Sequence, residues 1–152
     1  MVTKRDLVVA LTAVGITLAG AQGIGRSAVL NSSIFDWNAT TPVANKTGFV
    51  RKVVQAPTAT LDELEIHITT LNPGEAPHEP HKHPDEELVI IKEGTVEFLV
   101  NGQKQTVGPG SIVFQASNQM HAVRNVGTVP AIYHVIKWNS PGMLKQKSGG
   151  EQ

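Results

Sequence analysis

The chain has 152 residues, with 13 Lys+Arg against 13 Asp+Glu, 40% hydrophobic and 17% charged residues, and no cysteine. This balance suits one globular domain and offers no basic excess to hold a nucleic acid. Without cysteine, disulfides, thiolate metal sites and thiol nucleophiles are excluded, so any metal must be held by nitrogen and oxygen.

In chain order, the N-terminus places Lys4 and Arg5 before an apolar run from Leu7 to Ala19, closed by the small residues Ala19-Gly20-Ala21. That is the order of a signal peptide, residues 1–21, cleaved after Ala21. The run is shorter than the roughly 20 apolar residues a bilayer span needs, so no stable membrane span is expected after cleavage. Thr3-Lys4-Arg5-Asp6-Leu7-Val8 also resembles a twin-arginine export signal, with Lys4 in place of the first arginine. Either this route or general secretion implies a periplasmic or extracellular location in a bacterium. The alternative, a buried N-terminal helix, is weakened by Gly15 and Gly20. Residues 22–48 read as an arm or linker, with Phe35 and Trp37 as anchors on the outer sheet or on a neighbouring subunit.

Residues 49–140 break into short β-rich runs with no helical period, which predicts an all-β domain. Leu64-Glu65-Ile66-His67-Ile68 alternates as a strand with one wet face and stops at the turn Asn72-Pro73-Gly74. Leu88-Val89-Ile90-Ile91 and Thr95-Val96-Glu97-Phe98-Leu99-Val100 flank Gly94, and Asn101-Gly102 follows as a type I′ hairpin turn. Pro109-Gly110 makes another turn before Ser111-Ile112-Val113-Phe114, and two further strands run over residues 121–126 and 131–138. Turns at this spacing indicate a sandwich or barrel. Residues 141–152 read as a flexible tail.

His78, His81, His83 and His121, four of the six histidines, lie in or beside two distant segments. In an extended chain, residues i and i+2 share a face, so His81 and His83 converge from one strand. Glu87 has the same parity and joins them if the strand continues, and His121 begins a strand that must cross nearby. Three imidazoles and a carboxylate suit one divalent transition metal, Fe, Mn, Ni, Cu, Co or Zn, and leave coordination positions open. His67 and His134 read as satisfied strand histidines, although either can line a barrel mouth.

The segment His81-Lys82-His83-Pro84-Asp85-Glu86-Glu87, followed after six residues by Gly94, resembles the first motif of the cupin superfamily. Pro109-Gly110, His121 and Asn125 are similar to its second motif. The resemblance spans residues 49–138. It implies a double-stranded β-helix, that is, a jelly-roll or cupin barrel, with His81, His83, Glu87 and His121 as metal ligands. The step from glutamate to glycine selects Glu87 over Glu86. Two positions depart from the pattern. Gly74 lies one residue further from His81 than the motif has it, implying a loop insertion near Glu79 that brings in His78 as a rim residue or an extra ligand. Ala116 and Asn118 stand where Pro and Gly are usual.

The cupin barrel serves many reactions, so the residues carry the reading only to the metal. The expectation is an exported, metal-dependent enzyme, oxidoreductase or dioxygenase-like, acting on a small oxygen-rich molecule. Glu87 is the first choice of general base, with Glu97 and His78 behind it. The alternative is a non-catalytic cupin, a sensor or store that binds a metal or small ligand. The resemblance also implies a homodimer paired through outer strands.

Overall fold

The computed structural model describes residues 29–141. The expected signal peptide, and the tail beyond residue 141, lie outside the described residues. A short 3-10 turn at Trp37–Ala39 is followed by β1 (Val43–Asn45), β2 (Gly48–Ala56), β3 (Glu63–Leu71), β4 (Glu86–Glu93) and β5 (Val96–Val100). Then come β6 (Gln103–Val107), β7 (Ile112–Gln115), β8 (Ala122–Asn125) and β9 (Ala131–Asn139). They form a six-stranded sheet, β1-β2-β3-β9-β4-β7, and a three-stranded sheet, β6-β5-β8. All pairings are antiparallel, giving the double-stranded β-helix.

The last strand occupies the middle of the large sheet. β9 pairs with β3 on one side (Thr69↔Tyr133) and with β4 on the other (Ile91↔Tyr133). Its period of two sends Ala131, Tyr133 and Val135 into the core, where they meet Leu71, Val89, Ile91, Val96, Phe98 and Val123. Phe98 is 1% exposed, and burying such a side chain contributes about 1.5–3 kcal/mol.

Two turns show why particular residues stand where they do. Asn101 and Gly102 have φ of 52° and 74° between β5 and β6, the paired positive values a type I′ turn requires. Gly94, at φ 84°, lies so close to β9 that a Cβ would come within 2.7 Å of Ala131 Cα.

The alternation of Leu64 to Ile68 holds, but its wet face is turned inward. Glu65, His67 and Thr69 share the inner parity of the core residue Leu71, whereas Leu64, Ile66 and Ile68 point outward. The outer face continues as Ile136 and Trp138 on β9, Leu88 and Ile90 on β4, and Ile112 and Phe114 on the edge strand β7. Phe114 and Trp138 stack at 6.4 Å between ring centroids.

Part of the arm packs on this sheet. Arg51 of β2 lies 4.2 Å from the Trp37 ring centroid and Lys92 of β4 lies 4.5 Å from it, so the ring accepts two cations. Arg51 also donates to the carbonyls of Trp37 and Thr40. β1 then joins β2 through Val43↔Val50. Neither β1, β2 nor β6 stands out in the sequence by alternation alone.

Candidate metal centre

His81 and His121 face each other in an isolated antiparallel bridge. The His81 amide donates to the His121 carbonyl at 3.1 Å, and the His121 amide returns a bond of 2.9 Å. His83 follows in an irregular segment before β4 begins at Glu86. The strand does not continue unbroken from His81 to Glu87, the condition on which their shared parity rested, yet Glu87 lines the same cavity from β4. The bridge brings His81 and His121 together, and the chain bends at Pro84 and Asp85, between His83 and β4. Asn118 fixes part of that bend, with φ 59° and its amide donating to the His83 carbonyl at 2.8 Å. Asparagine tolerates the left-handed conformation, so replacing glycine here keeps the turn.

One nitrogen from each of His81, His83 and His121 lies within 4.8 Å of the other two. Ring centroids are 4.5 Å apart for His81 and His121, 4.8 Å for His83 and His121, and 5.3 Å for His81 and His83. The outer hydrogen bonds set the tautomers. His83 Nδ1 meets the Asp85 carbonyl at 3.0 Å, and His121 Nδ1 meets the Gln119 carbonyl at 2.9 Å. A carbonyl only accepts, so both Nδ1 atoms carry the proton and both Nε2 atoms present a lone pair. His121 Nε2 and His81 Nδ1 are buried without a hydrogen-bond partner. The His121 Nε2 lone pair, orphaned where three imidazoles meet, is costly unless a cation takes it, so this donor set fits a divalent transition metal.

Two of the imidazoles, His81 and His121, are biased to the neutral form a ligand must have. Burial pushes His81 down to about 4, with help from His78, His121 and His83 nearby, and burial also lowers His121. Glu87, from β4, has Oε2 3.6 Å from His83 Nε2 but stands outside the close group of three nitrogens. Burial raises its pKa to about 7; Lys137 opposes the rise, and Glu65 and Asp85 add to it. A nearby dication would draw off that proton. Glu86 points to the opposite face, where it accepts from Trp138 Nε1 at 3.1 Å. His78 is exposed beside the cluster, its ring 4.0 Å from that of His81. Glu97 pairs with Lys104 at 2.9 Å and lines a separate depression, so it does not face this site. His134 is on the outer parity of β9. Asn125 is fully buried and closes the loop after β8, donating to the carbonyls of Leu71 and Val129 and accepting from Gly127.

The three histidines and Glu87 line a cavity of about 290 Å³. Its other wall comes from the inner faces of β3, β7 and β9 and was not read as functional from the sequence. There stand His67 and Thr69, Gln115, and Tyr133 and Lys137. Gln115 is 4% exposed and its Oε1 has no partner. Burial raises Tyr133 above the usual phenol range. Lys137 Nζ is 2.7 Å from Glu65 Oε2, a pairing that outweighs burial and raises the lysine. His67 lines the cavity, the second of the two readings given for it, with one ring nitrogen meeting Glu65 on its own strand. The signal was the parity that Glu65 and His67 share on β3.

A profile of the cupin domain family matches residues 67–137. The chain belongs to the cupin superfamily. Solved cupin-like folds superpose on it over most of their lengths. KdgF from Halomonas sp. is 14% identical, with 74% of this chain and 99% of that one covered at a TM-score of 0.57. The polyketide cyclase RemF from Streptomyces resistomycificus is 17% identical, with 73% and 82% covered at 0.59. A Thermotoga maritima protein described as a predicted oxalate decarboxylase is 19% identical, with 70% and 99% covered at 0.56. At these identities the likeness is one of fold. Among curated proteins, the dimethylsulfoniopropionate lyase DddQ of Ruegeria pomeroyi is 44% identical over 45 residues. That match takes in 29% of this cupin and only 22% of the lyase's length. Among the described residues, no helix is long and apolar enough to cross a membrane.

Proposed function

We propose that this cupin is a metal-dependent enzyme acting on a small oxygen-rich molecule, with His81, His83, His121 and Glu87 as ligands of one divalent ion. The observation that carries the reading is the convergence of three imidazoles, one with a buried, unpartnered Nε2 lone pair, on one wall of a cavity whose other wall carries Gln115, Tyr133 and Lys137. A bound ion supplies Lewis acidity toward a ligand oxygen. The chain supplies the rest. Lys137 offers a fixed positive charge, Gln115 Oε1 accepts from a hydroxyl or amide of the bound molecule, and Val89, Val123 and Val135 limit its size. Glu87, when released from its ligand role, is placed to hold a proton.

Two reaction types follow. The first is oxidative, of the dioxygenase kind. The second is redox-neutral lyase chemistry, favoured by the local identity with DddQ and by the number of proton-holding groups around the cavity. Metal analysis of the purified protein, with oxygen uptake measured on the same sample against small dicarboxylates, diketones and dimethylsulfoniopropionate, separates them. Substrate-dependent oxygen uptake supports the first, and product formation without oxygen supports the second. Turnover of nothing by the fully metallated protein favours a binding cupin, a sensor or store. Metal content unchanged in His81→Ala and His121→Ala overturns the site itself.

We also propose export to the periplasm or beyond through the signal at residues 1–21, tested by N-terminal sequencing of the mature protein from cell fractions. A homodimer joined through the apolar outer face of the six-stranded sheet completes the proposal.

A further inference from the structure

The metal-ligand wall accounts for half of the cavity; the opposite wall holds an arrangement of its own. On β3, His67 Nδ1 lies 3.0 Å from Glu65 Oε1, and the other oxygen of the same carboxylate lies 2.7 Å from Lys137 Nζ. The lysine and His67 draw Glu65 below its ordinary pKa against the effect of burial. An ionised carboxylate only accepts, so His67 Nδ1 must donate, and its neutral ring leaves the lone pair on Nε2. No described residue bonds Nε2, yet it is not sealed in: His67 is 23% exposed and its ring lines the cavity that holds His81, His83 and His121. Glu65 is thus held from one side by a cation and orients an imidazole on the other. This arrangement makes a general base, because the carboxylate fixes the ring and balances the charge it gains.

We propose that His67 is the proton-transfer residue of this cavity, with Glu65 as its positioning residue and Lys137 holding Glu65. The inference rests on the metal reading above. In the step assigned to it, His67 Nε2 takes the proton of a hydroxyl or acidic C–H of the bound molecule. The electron pair of that bond stays on the molecule, and the imidazolium formed is neutralised by Glu65. The charged groups facing His67 are Glu65 on its own strand, Lys52 on β2 and Lys137 on β9. Burial and the two lysines hold the ring below the ordinary histidine range, against Glu65, so it is unprotonated and ready near neutral pH.

The test uses full-length mature protein and acetohydroxamic acid, a probe that binds metals as its anion and must shed one proton. Stopped-flow mixing of the probe with the zinc-loaded protein near pH 7.5 reads the rate at which the bound probe loses that proton. The imidazole takes the proton and passes it to solvent, so His67→Gln is expected to bind the probe roughly 100-fold more slowly at unchanged zinc content. Glu65→Gln, which keeps the imidazole, falls between them. Equal association rates for wild type and His67→Gln overturn the proposal. Nitrogen-15 NMR of the zinc-free protein reads the tautomer independently: Nδ1–H with a bare Nε2 is expected, and an Nε2–H tautomer overturns the proposal whatever the metal does. Failure of wild type to take up zinc sinks the metal reading and this role with it. Normal zinc uptake with equal association rates sinks the role of His67 alone.

Discussion

The two faces of the six-stranded sheet reverse the usual order of a soluble protein. Its outer face carries Leu64, Ile66, Leu88, Ile90, Ile112, Phe114, Ile136 and Trp138, while its inner face near the metal centre carries Glu65, His67, Glu87, Gln115 and Lys137. Further along the same inner face the residues become Val89, Ile91, Leu71, Tyr133 and Val135, an ordinary core. One end of the barrel therefore holds the fold together and the other carries the proposed metal site. The outer face belongs to neither end, and it is the surface that the proposed homodimer would bury.

The largest effect expected is on the ligand wall. His121→Ala should lower metal affinity by more than the roughly 10–100-fold that losing an outer partner costs, with the β circular dichroism unchanged. Metal content by mass spectrometry after dialysis checks it, and full occupancy would break the division between the two ends. Next comes the packed end. Phe98→Ala should cost about 3–5 kcal/mol in urea unfolding of the metal-free protein, because the side chain leaves a cavity in a closed core. A cost near zero would mean that the barrel draws its stability from elsewhere.

The pH dependence sharpens the comparison. In the metal-free protein, folded Glu87 keeps its proton up to about 7, whereas the unfolded chain releases it near the ordinary 4.5. The folded state therefore binds more protons across that window, and stability falls as pH rises from 4.5 through 7. Urea midpoints at pH 5 and pH 7.5 should show a smaller loss in Glu87→Gln than in wild type; parallel losses would assign the slope to other groups.

On the outer face, Phe114→Lys with Ile112→Lys should convert a dimer to a monomer by light scattering without changing metal content. A dimer that survives both would move the interface elsewhere. The smallest effect is local. Gly102→Ala, at φ 74°, should cost about 1 kcal/mol and leave metal binding alone.

Much of this was legible in the sequence, for identifiable reasons. The hairpin at Asn101-Gly102 was readable because only positive φ closes it, and the four proposed ligands were readable because their spacing is set by one site. β1, β2 and β6 were not, since their inward and outward residues do not alternate cleanly. β6, Gln103-Lys104-Gln105-Thr106-Val107, is polar along most of its length and is held by pairing with β5. The opposite wall of the cavity was missed for a subtler reason. The alternation of Glu65 and His67 was read correctly, but period two says which residues share a face and not whether that face meets bulk water or an internal cavity. Only the position of β9, from the far end of the chain, decides it by bringing Lys137 beside Glu65.

The backbone bridge between His81 and His121 has a consequence for engineering. Two of the side chains at the centre are placed by reciprocal amide bonds of the main chain, which no side-chain replacement removes. Cutting His121 back to glycine therefore vacates an imidazole-sized hole at a preset distance from its neighbours. Imidazole added from solution should refill that hole, and substituted imidazoles or pyridines of different basicity would turn the same barrel into a socket whose metal can be tuned by what is dissolved around it.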